Sequence, residues 1–131
     1  MKPASIGDYR EAARRRLPHF LFEYFDGGSY AERTLRANTE DLQDVSLRQQ
    51  VLNDVSGVDL STTLFGQQFT MPVALGPIGL AGIAARRGEV QDVRAAAAKG
   101  VPFALSTVSA CSLAEVTRGC PMPFSFQLYM V

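Results

Sequence analysis

Along this chain the spacing of apolar residues shifts from helical to strand-like, and the shift divides the sequence into regions of different grammar. Ser5 and Asp8 stand three apart ahead of an amphipathic run, a helix start in which Asp takes the place of the Glu or Gln of a capping box. The pattern predicts a helix from there to Arg16. Pro18 suits the first turn of a second helix over 18–25, in which Leu17, Phe20, Leu21 and Tyr24 share one face before Gly27-Gly28 ends it. Ser29 with Glu32 makes a capping-box pattern for a third helix to Asn38, and Thr39 opens a further short turn. Residues 1–45 therefore form a helical lead.

A polar segment follows, and Thr63-Leu64-Phe65 and Gln68-Phe69-Thr70 around Gly66-Gln67 predict a small hairpin, so 46–70 is loop and hairpin. From Pro72 to Gly76, small residues alternate with Val73 and Leu75, and a helix from Gly88 to Lys99 follows, closed by Gly100. Pro102 to Ser106 repeats the strand, and Ser112 with Glu115 caps a helix ending at Gly119. The last stretch, Phe124 to Met130, alternates with a period of two and puts Ser125, Gln127 and Tyr129 on one face. A parallel strand buried on both faces is apolar throughout, so this one is expected to line a polar mouth.

Strand, helix, strand, helix, strand with short connections implies right-handed crossovers and a parallel sheet over 71–131. A doubly wound sheet and a (β/α)8 barrel both satisfy the order. Both gather ligands at the carboxyl ends of strands, which here carry Pro77-Ile78-Gly79, Ser106, and Gln127 with Tyr129.

Composition narrows the classes. The 131 residues are 47% hydrophobic, enough for a core, and thirteen basic side chains balance thirteen acidic ones. Nucleic-acid binding leaves a clustered basic excess, whereas the dense run here is Arg14-Arg15-Arg16, which suits a solvated helix face or contact with anionic lipid. Cys111 and Cys120 flank a short helix and are expected to be reduced thiols, with no metal-ligand spacing. No apolar leader follows Met1-Lys2-Pro3, and Met71 to Ala85 is shorter than the roughly 20 residues a membrane span needs.

Gly76, Gly79 and Gly82 are spaced G-x-x-G-x-x-G and precede the helix start at Gly88, which does not suit a dinucleotide fingerprint. Glycines at a strand end instead let something flat lie against bare backbone, or allow tight packing beneath a mouth. His19 is the single histidine and so the one imidazole that could act as a general base near neutral pH, yet its setting suits a surface or helix-packing role.

Asp8-Tyr9-Arg10, Phe25-Asp26-Gly27-Gly28, Met71-Pro72-Val73-Ala74, Leu105-Ser106-Thr107 and Phe126-Gln127-Leu128-Tyr129, in this order and spacing, resemble the amino-terminal part of the FMN-dependent 2-hydroxy-acid dehydrogenases and oxidases. That group includes glycolate oxidase, mandelate dehydrogenase and respiratory L-lactate dehydrogenase. Thr34-Leu35-Arg36-Ala37-Asn38, Ala85 to Val90 and Leu105 to Ser109 are most similar to the bacterial respiratory L-lactate dehydrogenases.

The resemblance implies an α/β fold: amino-terminal helices plus the first three βα units of a (β/α)8 TIM barrel, incomplete in this chain. It implies FMN as cofactor, with Pro77, Ile78, Gly79, Ser106 and Gln127 as its contacts, and Tyr24 and Tyr129 as substrate contacts. Gly79 stands where alanine is commoner in the family. The family's histidine base is expected downstream of Val131, so no catalytic residue is assigned in this chain and it is expected to be inactive and poorly soluble alone. The implied reaction is oxidation of a small L-2-hydroxy acid, L-lactate to pyruvate, with electrons passed to a quinone or cytochrome. The implied location is peripheral, on the cytoplasmic side of the bacterial inner membrane, and the full-length form is expected to be a homo-oligomer. The front of a mandelate dehydrogenase or glycolate oxidase, or a non-enzymatic truncated remnant or interaction module, are the alternatives.

Overall fold

The computed structural model describes residues 3–120 and 122–130. They fall into two compact units that divide between Asp54 and Val55.

The first unit is helical: α1 (Ile6–Arg16), α2 (His19–Asp26) and α3 (Arg33–Gln43). At the start of α1 the Ser5 hydroxyl accepts from the Asp8 amide, and the Asp8 carboxylate accepts from the amides of Ser5 and Ala4. The Asp8 carboxyl lies below its ordinary value because those amides favour its charged form. The Arg10 guanidinium grips Asp26 with two bonds of 2.5 and 2.7 Å, tying α1 to the end of α2.

Two expectations fail in this unit. Pro18 is the cap of α2 and not a residue of its first turn. The Ser29–Glu32 box does not form: Glu32 is itself the cap of α3, in left-handed backbone at φ 55, and its carboxylate turns back to accept from the Gly28 amide. With the start displaced by three residues, α3 runs through Asn38 and Thr39 to Gln43 without a break.

The second unit opens with a hairpin, β1 (Thr62–Leu64) against β2 (Gln67–Phe69). Its two-residue turn is Phe65-Gly66 and not Gly66-Gln67, and both residues have positive φ, 50 and 75, the signature of a type I′ turn whose twist matches its strands. Thr70 then anchors the chain beneath the sheet: its amide and hydroxyl donate to the carbonyls of Gly100 and Lys99.

The first strand expected at 72–76 is reduced to one bridge, Leu75 beside Phe103, held by Leu75 N–H to the Pro102 carbonyl and Ala104 N–H to the Leu75 carbonyl. A one-turn helix, α4 (Ala81–Ala84), follows, then α5 (Gly88–Lys99), ended by Gly100 at φ 63. Then β3 (Ala104–Ser106), α6 (Leu113–Gly119) and β4 (Ser125–Gln127) complete the order. The Ser112–Glu115 capping box of α6 forms with both arms.

β3 and β4 are parallel, with Ala104 beside Ser125, Leu105 beside Phe126, and Ser106 beside Gln127. Side chains alternate across a strand, so each face of the sheet has its own chemistry. Phe103 and Leu105 point at α5 and α6 and form the core with Val90, Val93, Ala96, Val101, Cys111 and Val116. The opposite face carries Ala104, Ser106, Ser125 and Gln127, all small or polar. Among the described residues the sheet does not close into a barrel.

Candidate functional site

The carboxyl ends of the three parallel segments converge within the second unit. Ser106 and Gln127 are the last register pair of β3 and β4, so their side chains leave the same face side by side on neighbouring strands. Ser106 is 1% exposed and Gln127 is open. The Ser106 hydroxyl accepts from the Val108 amide at 3.3 Å, which leaves its own proton to donate elsewhere.

The segment Pro77-Ile78-Gly79 leaves the Leu75 bridge and runs past this pair. An added Cβ on Gly79 would stand 2.9 Å from a Val108 methyl and 4.0 Å from the Ser106 hydroxyl, so its backbone lies directly against the end of β3. Leu80 follows in left-handed backbone at φ 54, strain of about 1 kcal/mol for a side-chain-bearing residue, and its amide donates to the Val108 carbonyl at 2.9 Å. Five of the expected residues, Pro77, Ile78, Gly79, Ser106 and Gln127, thus share one corner of the fold.

Tyr129 lies two residues past Gln127, beyond the paired part of β4, and is 42% exposed. Tyr24 belongs to the first unit, on α2, where it is exposed and meets Phe25 edge-on at 5.4 Å. His19 is exposed and lies 3.6 Å from Glu23, one helical turn away on α2. Cys111 and Cys120 are both free thiols. Among the described residues no cluster of His, Cys, Asp and Glu is arranged to hold a metal, and no helix is long and apolar enough to cross a membrane.

Two residues that sequence reasoning passed over help to build this corner. Glu89, in the first turn of α5, is 2% exposed, and its Oε1 accepts from the amides of Gly82 at 3.1 Å and Ala110 at 2.7 Å. One carboxylate oxygen therefore clamps the loop after the Leu75 bridge to the loop after β3. Gly82 is required at this clamp, since a Cβ there would sit 2.8 Å from both the carboxylate and the Ala110 methyl. Burial pushes the Glu89 carboxyl up, but the amides of Glu89 itself, Ala110 and Gly82 outweigh it and hold the group below its ordinary value. Beside it the Cys111 thiol is pushed up, first by burial and then by this carboxylate.

Thr107 is the second. Its hydroxyl donates to the Gln127 carbonyl and accepts from the Tyr129 amide at 3.1 Å. The available signal was a second hydroxyl directly after the strand, at a position where the chain turns and a short polar side chain can bond neighbouring backbone.

The missing side chain of Gly79 lets its backbone pack closely on Val108 at the end of β3, and beside it the Gln127 carboxamide stands open with donors and acceptors while the Ser106 hydroxyl is buried.

The family model described as FMN-dependent dehydrogenase matches residues 13–131. The L-lactate dehydrogenase of Caulobacter sp. (strain K31) is 66% identical over 128 residues, which is 98% of this chain and 34% of that protein. The L-lactate dehydrogenase of Xanthobacter autotrophicus (strain ATCC BAA-1158 / Py2) is 62% identical over 128 residues, 98% of this chain and 33% of that protein. Among solved structures, a soluble mutant of the membrane-associated (S)-mandelate dehydrogenase from Pseudomonas putida superposes with a TM-score of 0.90 at 34% identity, covering 99% of this chain and 37% of the other. The chain spans about a third of the length of the curated relatives it matches.

Proposed function

The chain belongs to the FMN-dependent dehydrogenase family, and on that premise we propose that it forms the front part of an enzyme that oxidises L-lactate to pyruvate. The observation that carries this reading is the Ser106–Gln127 register pair with the Gly79 backbone against it. In this reading they would hold one side and one edge of an isoalloxazine ring. In this reading 1–45 is a helical lead, 46–70 a loop and hairpin, and 71–131 the opening βα units of a (β/α)8 barrel. Lactate is preferred over mandelate as substrate because relatives named for lactate stand at 62–66% identity, whereas the mandelate dehydrogenase structure stands at 34%.

When bound, FMN takes up the hydride equivalents that leave the hydroxyl-bearing carbon. The residues of this chain bind and orient. Pro77, Ile78 and Gly79 would present backbone to the ring, and Ser106 and Gln127 would hold its edge by hydrogen bonds. Tyr129 would direct its phenol hydroxyl to the substrate carboxylate, orienting the reacting carbon. The base that takes the hydroxyl proton is a histidine outside this chain. This reading gives His19, exposed on α2 with Glu23 3.6 Å away, no catalytic role.

Electrons then pass to a quinone or cytochrome, with the enzyme attached peripherally at the cytoplasmic side of the inner membrane and assembled as a homo-oligomer. A solved relative described as a monotopic membrane protein supports that attachment.

The test is to purify the complete enzyme that carries this segment, record its visible spectrum, and follow dye reduction with L-lactate, glycolate and (S)-mandelate. A yellow protein with highest kcat/KM for L-lactate is expected. Protein that binds no flavin refutes the reading, and a preference for mandelate or glycolate refutes the substrate.

A further inference from the structure

We propose that Thr107 is a positioning residue, whose hydroxyl sets where Gln127 and Tyr129 present their side chains. The inference rests on the flavin and 2-hydroxy-acid reading of this corner. It starts from how β4 ends. The ladder between β3 and β4 stops at the Ser106–Gln127 pair, yet Tyr129 lies two residues further on. To extend the ladder, β3 would have to continue alongside, and it does not.

It turns away instead. After Ser106 the chain bends at Thr107-Val108, the Val108 amide is taken by the Ser106 hydroxyl, and the Val108 carbonyl is taken by the Leu80 amide. The next rung of β4 is thus left without backbone partners from β3. Thr107 supplies both with one atom: its hydroxyl donates to the Gln127 carbonyl and accepts from the Tyr129 amide. A hydroxyl has the donor and the acceptor this needs, and an isosteric valine has neither.

The consequence falls on function because of what the rung carries. Leu128 and Met130 on either side of Tyr129 are 74% and 98% exposed, so packing among the described residues does not hold this stretch. The Thr107 tie fixes the backbone from which the Gln127 carboxamide and the Tyr129 phenol project. A shift of even 1 Å at such a point moves a substrate contact out of hydrogen-bond reach.

The test compares Thr107→Val and Thr107→Ser in the complete, FMN-loaded enzyme with L-lactate. Thr107→Val is expected to raise KM roughly tenfold, with a smaller change in kcat and an unchanged melting temperature within a few degrees. Thr107→Ser, which keeps the hydroxyl, is expected to stay within about twofold of the parent. A Thr107→Val enzyme with parental KM overturns the inference, and so does a Thr107→Ser enzyme as impaired as the valine variant. Should the valine variant fail to fold, amide hydrogen exchange at Tyr129 in the unsubstituted enzyme decides: slow exchange supports the tie, and the rate of an open amide overturns it. An unsubstituted enzyme that binds no FMN refutes the flavin reading and this inference together, whereas a working enzyme indifferent to Thr107→Val refutes this inference alone.

Discussion

Replacing Glu89 by alanine should cost about 3 kcal/mol of stability, through a chain of reasoning that can be followed atom by atom. The carboxylate is 2% exposed and one oxygen accepts from two amides, Gly82 at 3.1 Å and Ala110 at 2.7 Å. Hydrogen bonds to a charged group contribute about 1.5–3 kcal/mol each, and the one stem methylene that alanine lacks adds about 0.8 kcal/mol. The simple sum exceeds 3 kcal/mol, but Ala110 is exposed and its amide regains water once the clamp opens, so the lower end applies. Glu89→Gln keeps the stem and one acceptor oxygen. It loses the charge and places an amide group where the second carboxylate oxygen has no hydrogen-bond partner among the described residues, so about 1–2 kcal/mol is expected.

The assay is urea denaturation of the complete flavin-loaded enzyme at neutral pH, read by fluorescence and by flavin release. Flavin should leave before global unfolding in Glu89→Ala, because the clamped loops follow directly on Gly79 and Val108. The pH dependence has a definite sign. The folded carboxyl lies below its ordinary value, so the stabilisation is fully present above the unfolded value of about 4.3 and is lost as pH falls through the folded one. Glu89→Gln should remove that part of the acid-side loss. A Glu89→Ala protein within about 1 kcal/mol of the parent, with flavin retained to the same midpoint, would refute the clamp.

Further outcomes follow from single contacts. Gly79→Ala should cost about 1 kcal/mol, since the new methyl meets a Val108 methyl at 2.9 Å, and most of that cost should vanish in a Gly79→Ala, Val108→Ala double variant, a coupling that paired melts will measure. Ser112→Ala removes one arm of a formed capping box and should lower stability by about 1 kcal/mol in the same melts. Phe65→Asn should raise it by about 1 kcal/mol, because Phe65 is 88% exposed in left-handed backbone at the first position of a type I′ turn, where asparagine before glycine is favoured. Unchanged or lower stability in that variant would mean that Phe65 packs usefully.

Local signals were legible wherever local forces decide. α5 begins at Gly88 and ends at Lys99 with Gly100 in the left-handed conformation, and Ser112 and Glu115 cap α6, all as the residues predict. The same box pattern failed at Ser29 and Glu32, where Glu32 takes left-handed backbone as the cap and its carboxylate accepts from the Gly28 amide. The hairpin was legible and its turn was misplaced by one residue, since Phe65 is a poor advertisement for positive φ. Glu89 was unreadable for a different reason. An acid in the first turn of a helix ordinarily answers the helix dipole in water, and only the fold brings the Gly82 and Ala110 amides to it from seven and twenty-one residues away. Thr107 was legible as part of a motif and silent as to its role, which depends on β3 bending where β4 continues.

The adjacency of Ser106 and Gln127 on neighbouring strands makes the sheet a ruler. The interval between their attachment points is set by the separation of hydrogen-bonded strands, about 4.8 Å, and not by the shape of any side chain. Repacking Val90, Val93 or Val116 can alter how firmly the helices sit, yet it leaves that interval alone. Core residues are free to drift while the pitch of the two polar groups stays constant, which separates the tolerance of this scaffold to substitution from the accuracy of the corner it supports.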